Sequence, residues 1–175
     1  MPASTRTCED PVSADGQKAE SGTPSRSVVH SMFDLERTYD APVSRVWKAL
    51  SNMDAKAKWF AGSAGKWQVL ERQMDVRVGG RELLRGRWDT GVVTTFDAVY
   101  HDVVPNERLV YGYQMYIDEK KISVSLATLQ LRAHGARTTL KVTEQGAFLD
   151  GYDDAGSRAH GTGLLLDALG ASLHS

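Results

Sequence analysis

From Met32 to Tyr39 apolar and polar positions alternate, with Phe33, Leu35, Arg37 and Tyr39 on one side, which predicts a first strand. The period then lengthens. Asp40 is placed to cap a helix, Pro42 falls in a first turn where a missing N–H costs little, and Val43, Val46, Trp47 and Leu50 recur at helical spacing. That helix ends near Asn52. A second helical turn, Asp54 to Phe60, breaks at the glycines of Ala61-Gly62-Ser63-Ala64-Gly65.

A period of two returns at Gln73, where Met74, Val76 and Val78 alternate with Asp75 and Arg77, and Gly79-Gly80 supplies a hairpin turn into Arg81 to Trp88. Asp89-Thr90-Gly91 leads into a long strand, Val92 to Val104, and Pro105-Asn106-Glu107 into Arg108 to Ile117. Two further turns, at Asp118-Glu119-Lys120-Lys121 and Ala133-His134-Gly135-Ala136, frame strands Ile122 to Leu131 and Arg137 to Glu144. The last element, Ala155 to Leu173, is helical, with Leu165, Leu166, Leu169 and Leu173 as its apolar stripe; Gly161, Gly163 and Gly170 weaken it, so tertiary packing must hold it. The pattern predicts an α+β fold: a curved seven-stranded antiparallel sheet with two short helices after the first strand and a long C-terminal helix across its concave face.

The chain has 175 residues, 41% of them apolar and 25% charged, which fits one globular domain from about residue 28 to 175. Met1 to about Ser27 has too little apolar content to offset its ordering entropy and is expected to be a disordered tail. With 21 basic against 22 acidic side chains there is no global field to attract nucleic acid or an anionic membrane. No apolar run is long enough to span a bilayer, so membrane insertion is not expected. Cys8 is the only cysteine, which excludes intramolecular disulfides and cysteine-rich zinc sites and suits a cytoplasmic location.

Six motifs in order carry a resemblance to a known family: Arg37-Thr38-Tyr39-Asp40-Ala41-Pro42, Val46-Trp47-Lys48-Ala49-Leu50, Trp59-Phe60, Asp75-Val76-Arg77-Val78-Gly79-Gly80, Pro105-Asn106-Glu107-Arg108-Leu109-Val110 and Thr143-Glu144-Gln145-Gly146-Ala147-Phe148. From Phe33 to the C-terminus the chain resembles the small bacterial proteins named after the C-terminal domain of the activator of Hsp90 ATPase, within the START-like or Bet v 1-like superfamily. The resemblance implies a helix-grip fold, a container used elsewhere for lipids, polyketides, plant hormones and protein partners. The eponymous activator stimulates its chaperone with a separate N-terminal domain of tryptophan-rich signature; the sequence shows none, so Hsp90 contact is not expected of this chain alone. Thr162 stands where the family pattern has a tryptophan, which implies a larger or more polar cavity.

The stretch Glu144 to Asp154, EQGAFLDGYDD, gathers acids and aromatics. A paired-carboxylate site is conceivable there, but a joint fits better: Gly146 and Gly151 permit turns, Phe148 and Leu149 enter the core, and Asp153 or Asp154 caps the closing helix. On a helical wheel Arg158 shares the sector of Leu165 and Leu169, so it points toward the sheet, either paired with Asp153 or Asp154 or facing an acidic ligand group. His160 lies opposite, and the histidines do not cluster into a metal site. No nucleophile elbow, phosphate loop or dinucleotide fingerprint is present, and no cofactor is called for.

Aromatic and methionine surface remains. Leu109, Tyr111, Tyr113, Met115 and Ile117 share one strand face. The candidate cavity lining is Trp59, Trp88, Tyr100, Tyr111, Tyr113, Met115, Phe148, Tyr152 and Arg158, tyrosine hydroxyls in an apolar cleft being suited to a partly polar small molecule. On the strand from Ile122, Ser123, Ser125 and Ala127 leave room at one end of the cavity, while Ile122, Val124 and Leu126 form an apolar convex row suited to a homodimer contact. The reading favoured is a non-catalytic protein that binds a small apolar or amphipathic ligand. A protein-interaction or chaperone-linked module is the alternative, and a cyclase-like or hydrolytic enzyme using Arg158 and pocket tyrosines a third.

Overall fold

The computed structural model describes residues 25–174; of the tail expected over residues 1–27, residues 1–24 lie outside them. The elements are β1 (Val28–Tyr39), α1 (Val43–Ser51), α2 (Met53–Ala57), β2 (Trp67–Met74), β3 (Arg81–Trp88), β4 (Val93–Val104), β5 (Arg108–Ile117), β6 (Lys120–His134), β7 (Arg137–Leu149) and α3 (Ala155–Ser172). Hairpin turns join β2 through β7 in a meander, and β1 pairs antiparallel with β7, so the seven-stranded sheet runs β1-β7-β6-β5-β4-β3-β2. α3 packs over β1, which makes this the helix-grip arrangement the pattern predicts.

Alternation decides the faces. On β7, Thr138, Leu140, Val142, Glu144 and Phe148 are buried on the concave side, and on β6 Ser123, Ser125, Ala127, Leu129 and Leu131 join them. α1 buries Val46, Ala49 and Leu50, and α3 buries Leu166 and Leu169. Gly163 and Gly170 serve the contact with β1: a Cβ on Gly170 would come within 3.1 Å of the Tyr39 ring. The Tyr39 hydroxyl donates to the Leu166 carbonyl at 3.0 Å, and Arg37 pairs with Asp167 at 2.7 Å.

Several local expectations change. Residues 75–80 do not extend a strand. Past Met74 the chain turns on itself, Gly80 N–H donating to the Arg77 carbonyl at 2.8 Å, and Gly79 and Gly80 pair with the backbone of Tyr100 instead of forming a two-residue hairpin turn. β2 starts earlier, at Trp67, because Gly86 opposite leaves space for its ring: a Cβ there would lie 1.9 Å from it. The second helix ends at Ala57, before Trp59-Phe60. Asp40 does not cap α1; Pro42 holds that position without a side-chain hydrogen bond. Gly146 is no turn, since β7 continues to Leu149 and Phe148 and Ser125 fill the space its side chain would need. Ile122 is not exposed with Val124 and Leu126: it falls at a register shift opposite Met115 and Tyr116, and both it and Ser123 are buried.

Candidate functional site

Two polar clusters interrupt the apolar concave face. In the first, α2 delivers Lys56 and β3 delivers Glu82, both buried, with Nζ 2.7 Å from Oε2; the fully buried Tyr100 of β4 donates its hydroxyl to the same oxygen. Burial first, and then Glu82, push the Tyr100 phenol far above its ordinary range.

The second cluster gathers on Arg158, one turn into α3. Its guanidinium donates to the Tyr113 hydroxyl at 2.7 Å, the Ser123 hydroxyl at 2.8 Å, Glu144 at 3.3 Å, and Asp153 just before the helix. Tyr113 in turn donates to Glu144 at 2.5 Å. The guanidinium also lies 5.6 Å from the Tyr113 ring centre and 5.7 Å from that of Phe148. Burial opposes its charge, but Tyr113, Glu144 and Asp153 together outweigh this and hold it above its ordinary range. The cluster joins α3 to β5, β6 and β7. Asp154 caps the same helix, accepting from Ser157 N–H at 2.9 Å, and Asp150 ties the preceding turn to Arg26 and Ser27.

Tyr111 stands between the clusters. Its ring packs against Phe96, Tyr100 and Tyr113 at centroid distances of 6.1, 5.8 and 5.9 Å, and Phe96 continues the aromatic wall to Phe60 at 5.1 Å. Its side chain is only part-buried, and no hydrogen bond to its hydroxyl occurs among the described residues. Burial, followed by Tyr113, Glu82 and Glu144, raises this phenol well above the usual range. Met115, Phe60 and Leu165 likewise pack on the core while keeping exposed surface.

The nine candidate residues therefore divide. Tyr111, Met115 and the half-buried Trp88 keep open surface on the concave side. Trp59 is buried with its indole N–H on the Ala49 carbonyl at 2.9 Å, and Tyr100 is sealed against Glu82. Tyr113, Phe148 and Arg158 engage one another. Tyr152 is 46% exposed and stands apart, its ring centre 5.4 Å from the Lys120 ammonium. Lys56, Glu82 and Glu144 were not among the candidates. Glu82 falls in phase with Leu84 and Glu144 with Leu140 and Val142, so a charge on an inward-facing position is the signal that could have marked both.

Two hollows lie elsewhere. One of about 340 Å³ sits between α1, α2 and the end of α3, beside Arg45, Lys48, Lys58 and His174. The other, about 550 Å³ and open, lies on the convex face beside His30, Met32, Val124, Leu126, Gln145 and Ala147. Among the described residues no group of three or more His, Cys, Asp or Glu could hold a metal ion, and no helix is long and apolar enough to cross a membrane.

The gripped helix, the curved sheet and the open aromatic wall define a helix-grip protein of the kind that serves as a ligand-binding or interaction module. The chain belongs to the family described as activator of Hsp90 ATPase homolog 1-like protein, whose model matches residues 40–174. Among solved structures it is similar to an uncharacterised protein from Rhizobium leguminosarum, with 42% identity and a TM-score of 0.80 over 85% of this chain and 97% of that one. A protein from Rhizobium loti is 40% identical, with a TM-score of 0.77 over 83% and 99% of the two chains. An activator-homologue-like protein from Aeromonas hydrophila, at 19% identity and a TM-score of 0.64 over 82% and 92%, shares the fold. No protein of curated function matches the chain.

Proposed function

We propose that this protein binds a small apolar or amphipathic molecule in the cleft between the concave face and α3, without transforming it. The observation that carries the reading is Tyr111, set deep in an aromatic wall yet with open surface and an unpartnered hydroxyl. A core residue packed only for stability would bury that surface and pair that hydroxyl. Phe60, Met115 and Leu165 are likewise part-buried against the core and support the reading. A cytoplasmic setting, in keeping with the single cysteine Cys8, goes with this reading. The test is a native mass spectrum of the protein isolated gently from its host. A reproducible added mass, lost on denaturation, is the expected result; a bare mass at every preparation counts against the container.

A second reading rests on the convex face. Val124 and Leu126 are 42% and 41% exposed there and Met32 61%, an apolar row beside the open hollow that suits a homodimer or another protein partner. Size-exclusion chromatography and cross-linking distinguish the two, since an association through this row is lost in Leu126→Asp and kept in Tyr111→Phe.

A further inference from the structure

The nearest cations to the cleft already have partners. Lys56 is paired with Glu82, Arg158 with Glu144 and Asp153, and Arg37 with Asp167. Arg72, at the β2 end, donates to the Phe60 carbonyl at 2.8 Å. The groups that flank Tyr111 across the sheet on either side are carboxylates. Glu82 lies on the β3 side and Glu144 on the β7 side, and each already holds the cation beside it.

Resting on the reading of the cleft as the binding site, we infer that the cleft takes uncharged ligands with an apolar, preferably aromatic, body and one hydroxyl or carbonyl, and rejects carboxylates and phosphates. The Tyr111 hydroxyl is the specificity-determining group: it bonds the ligand's polar atom, while Phe96, Phe60 and Met115 receive its body. A carboxylate or phosphate would need a cation to offset its desolvation. Lys56 and Arg158 can supply one only by abandoning a buried carboxylate, and Arg72 is held on the Phe60 carbonyl at the edge strand, which makes charged ligands the poorer occupants.

The experiment uses the full chain at neutral pH and three probes of one shape, 2-naphthol, 2-naphthoate and naphthalene, measured by calorimetry. Naphthol is expected to bind at least about ten-fold more tightly than naphthoate. Tyr111→Phe should weaken naphthol about five-fold, to the level of naphthalene, while leaving naphthalene unchanged. Because the hydroxyl has no partner among the described residues, that variant should keep the wild-type urea midpoint. Naphthoate binding as well as naphthol, or naphthol binding unaffected by Tyr111→Phe, overturns the inference and leaves the container reading standing. Failure of all three probes to bind overturns both.

Discussion

The two buried clusters use similar chemistry, a cation, a carboxylate and a tyrosine, but they are built to different ends. Lys56, Glu82 and Tyr100 are sealed, with side-chain exposures of 6% and 4% for the ion pair and 0% for Tyr100. Their charges cancel, and they join α2 to the β3–β4 floor. Arg158 and its partners lie nearer the rim, Arg158 at 11% and Asp153 at 14%, and they set one cation against two carboxylates. The first cluster is a fixed part of the floor. The second is a latch between the floor and the helix that covers it, and its Asp153 can turn to water if the latch is cut.

The largest effect should therefore come from the sealed cluster. Lys56→Met leaves the Glu82 carboxylate buried with Tyr100 as its remaining partner, and should cost about 3–5 kcal/mol of stability in urea denaturation. The triple substitution Lys56→Met, Glu82→Leu, Tyr100→Phe removes every member and should return to within about 2 kcal/mol of the wild type. A triple variant as unstable as the single one would show that shape, and not stranded charge, governs this part of the core.

Cutting the latch should cost less. Arg158→Met leaves Glu144 with the Tyr113 proton and frees Asp153 to hydrate, for an expected loss of about 2–3 kcal/mol. Its signature should be local. Amide exchange should accelerate in the first turns of α3 while the segment around Leu166 and Leu169, buried beside Tyr39, stays protected. Uniform acceleration along the helix would mean that Arg158 serves global stability and does not act as a latch.

This contrast also explains what the sequence could disclose. Strand β7 and the middle of β4 alternate cleanly because one face is buried, and the sector of Arg158 on a helical wheel follows from a helix with one buried stripe. β2 was hard to place because it is an edge strand with a register shift at Val69 and Glu71, leaving Val69 and Leu70 both exposed and the period blurred. The pairing of Lys56 with Glu82 spans 26 residues between a short helix and a strand, and no local pattern encodes it. The same holds for Trp67 on Gly86 and for the burial of Ile122, since each depends on a neighbouring strand. Which tyrosine would stay open was equally hidden. Tyr100, Tyr111 and Tyr113 have the same alternation, and they differ in that Glu82 and Glu144 reach two of their hydroxyls and not the third.

The smallest effect sharpens the comparison most, because it uses one substitution at two sites. Ser123 and Ser125 lie two positions apart on the concave face of β6, and both are buried. Ser123 accepts from Arg158 at 2.8 Å, so Ser123→Ala removes a charge-assisted bond from the latch and should cost about 1–2 kcal/mol. The Ser125 hydroxyl, packed beside Gly146, has no hydrogen-bond partner among the described residues. Its desolvation is uncompensated in the folded state, so Ser125→Ala should be neutral or stabilise by up to about 1 kcal/mol. Opposite signs from two serine-to-alanine changes, read as urea midpoints at constant slope, would locate the latch to one row of the sheet. Equal losses at both sites would mean that the second hydroxyl has a partner, such as a trapped water, and that the latch extends one row deeper toward Tyr113.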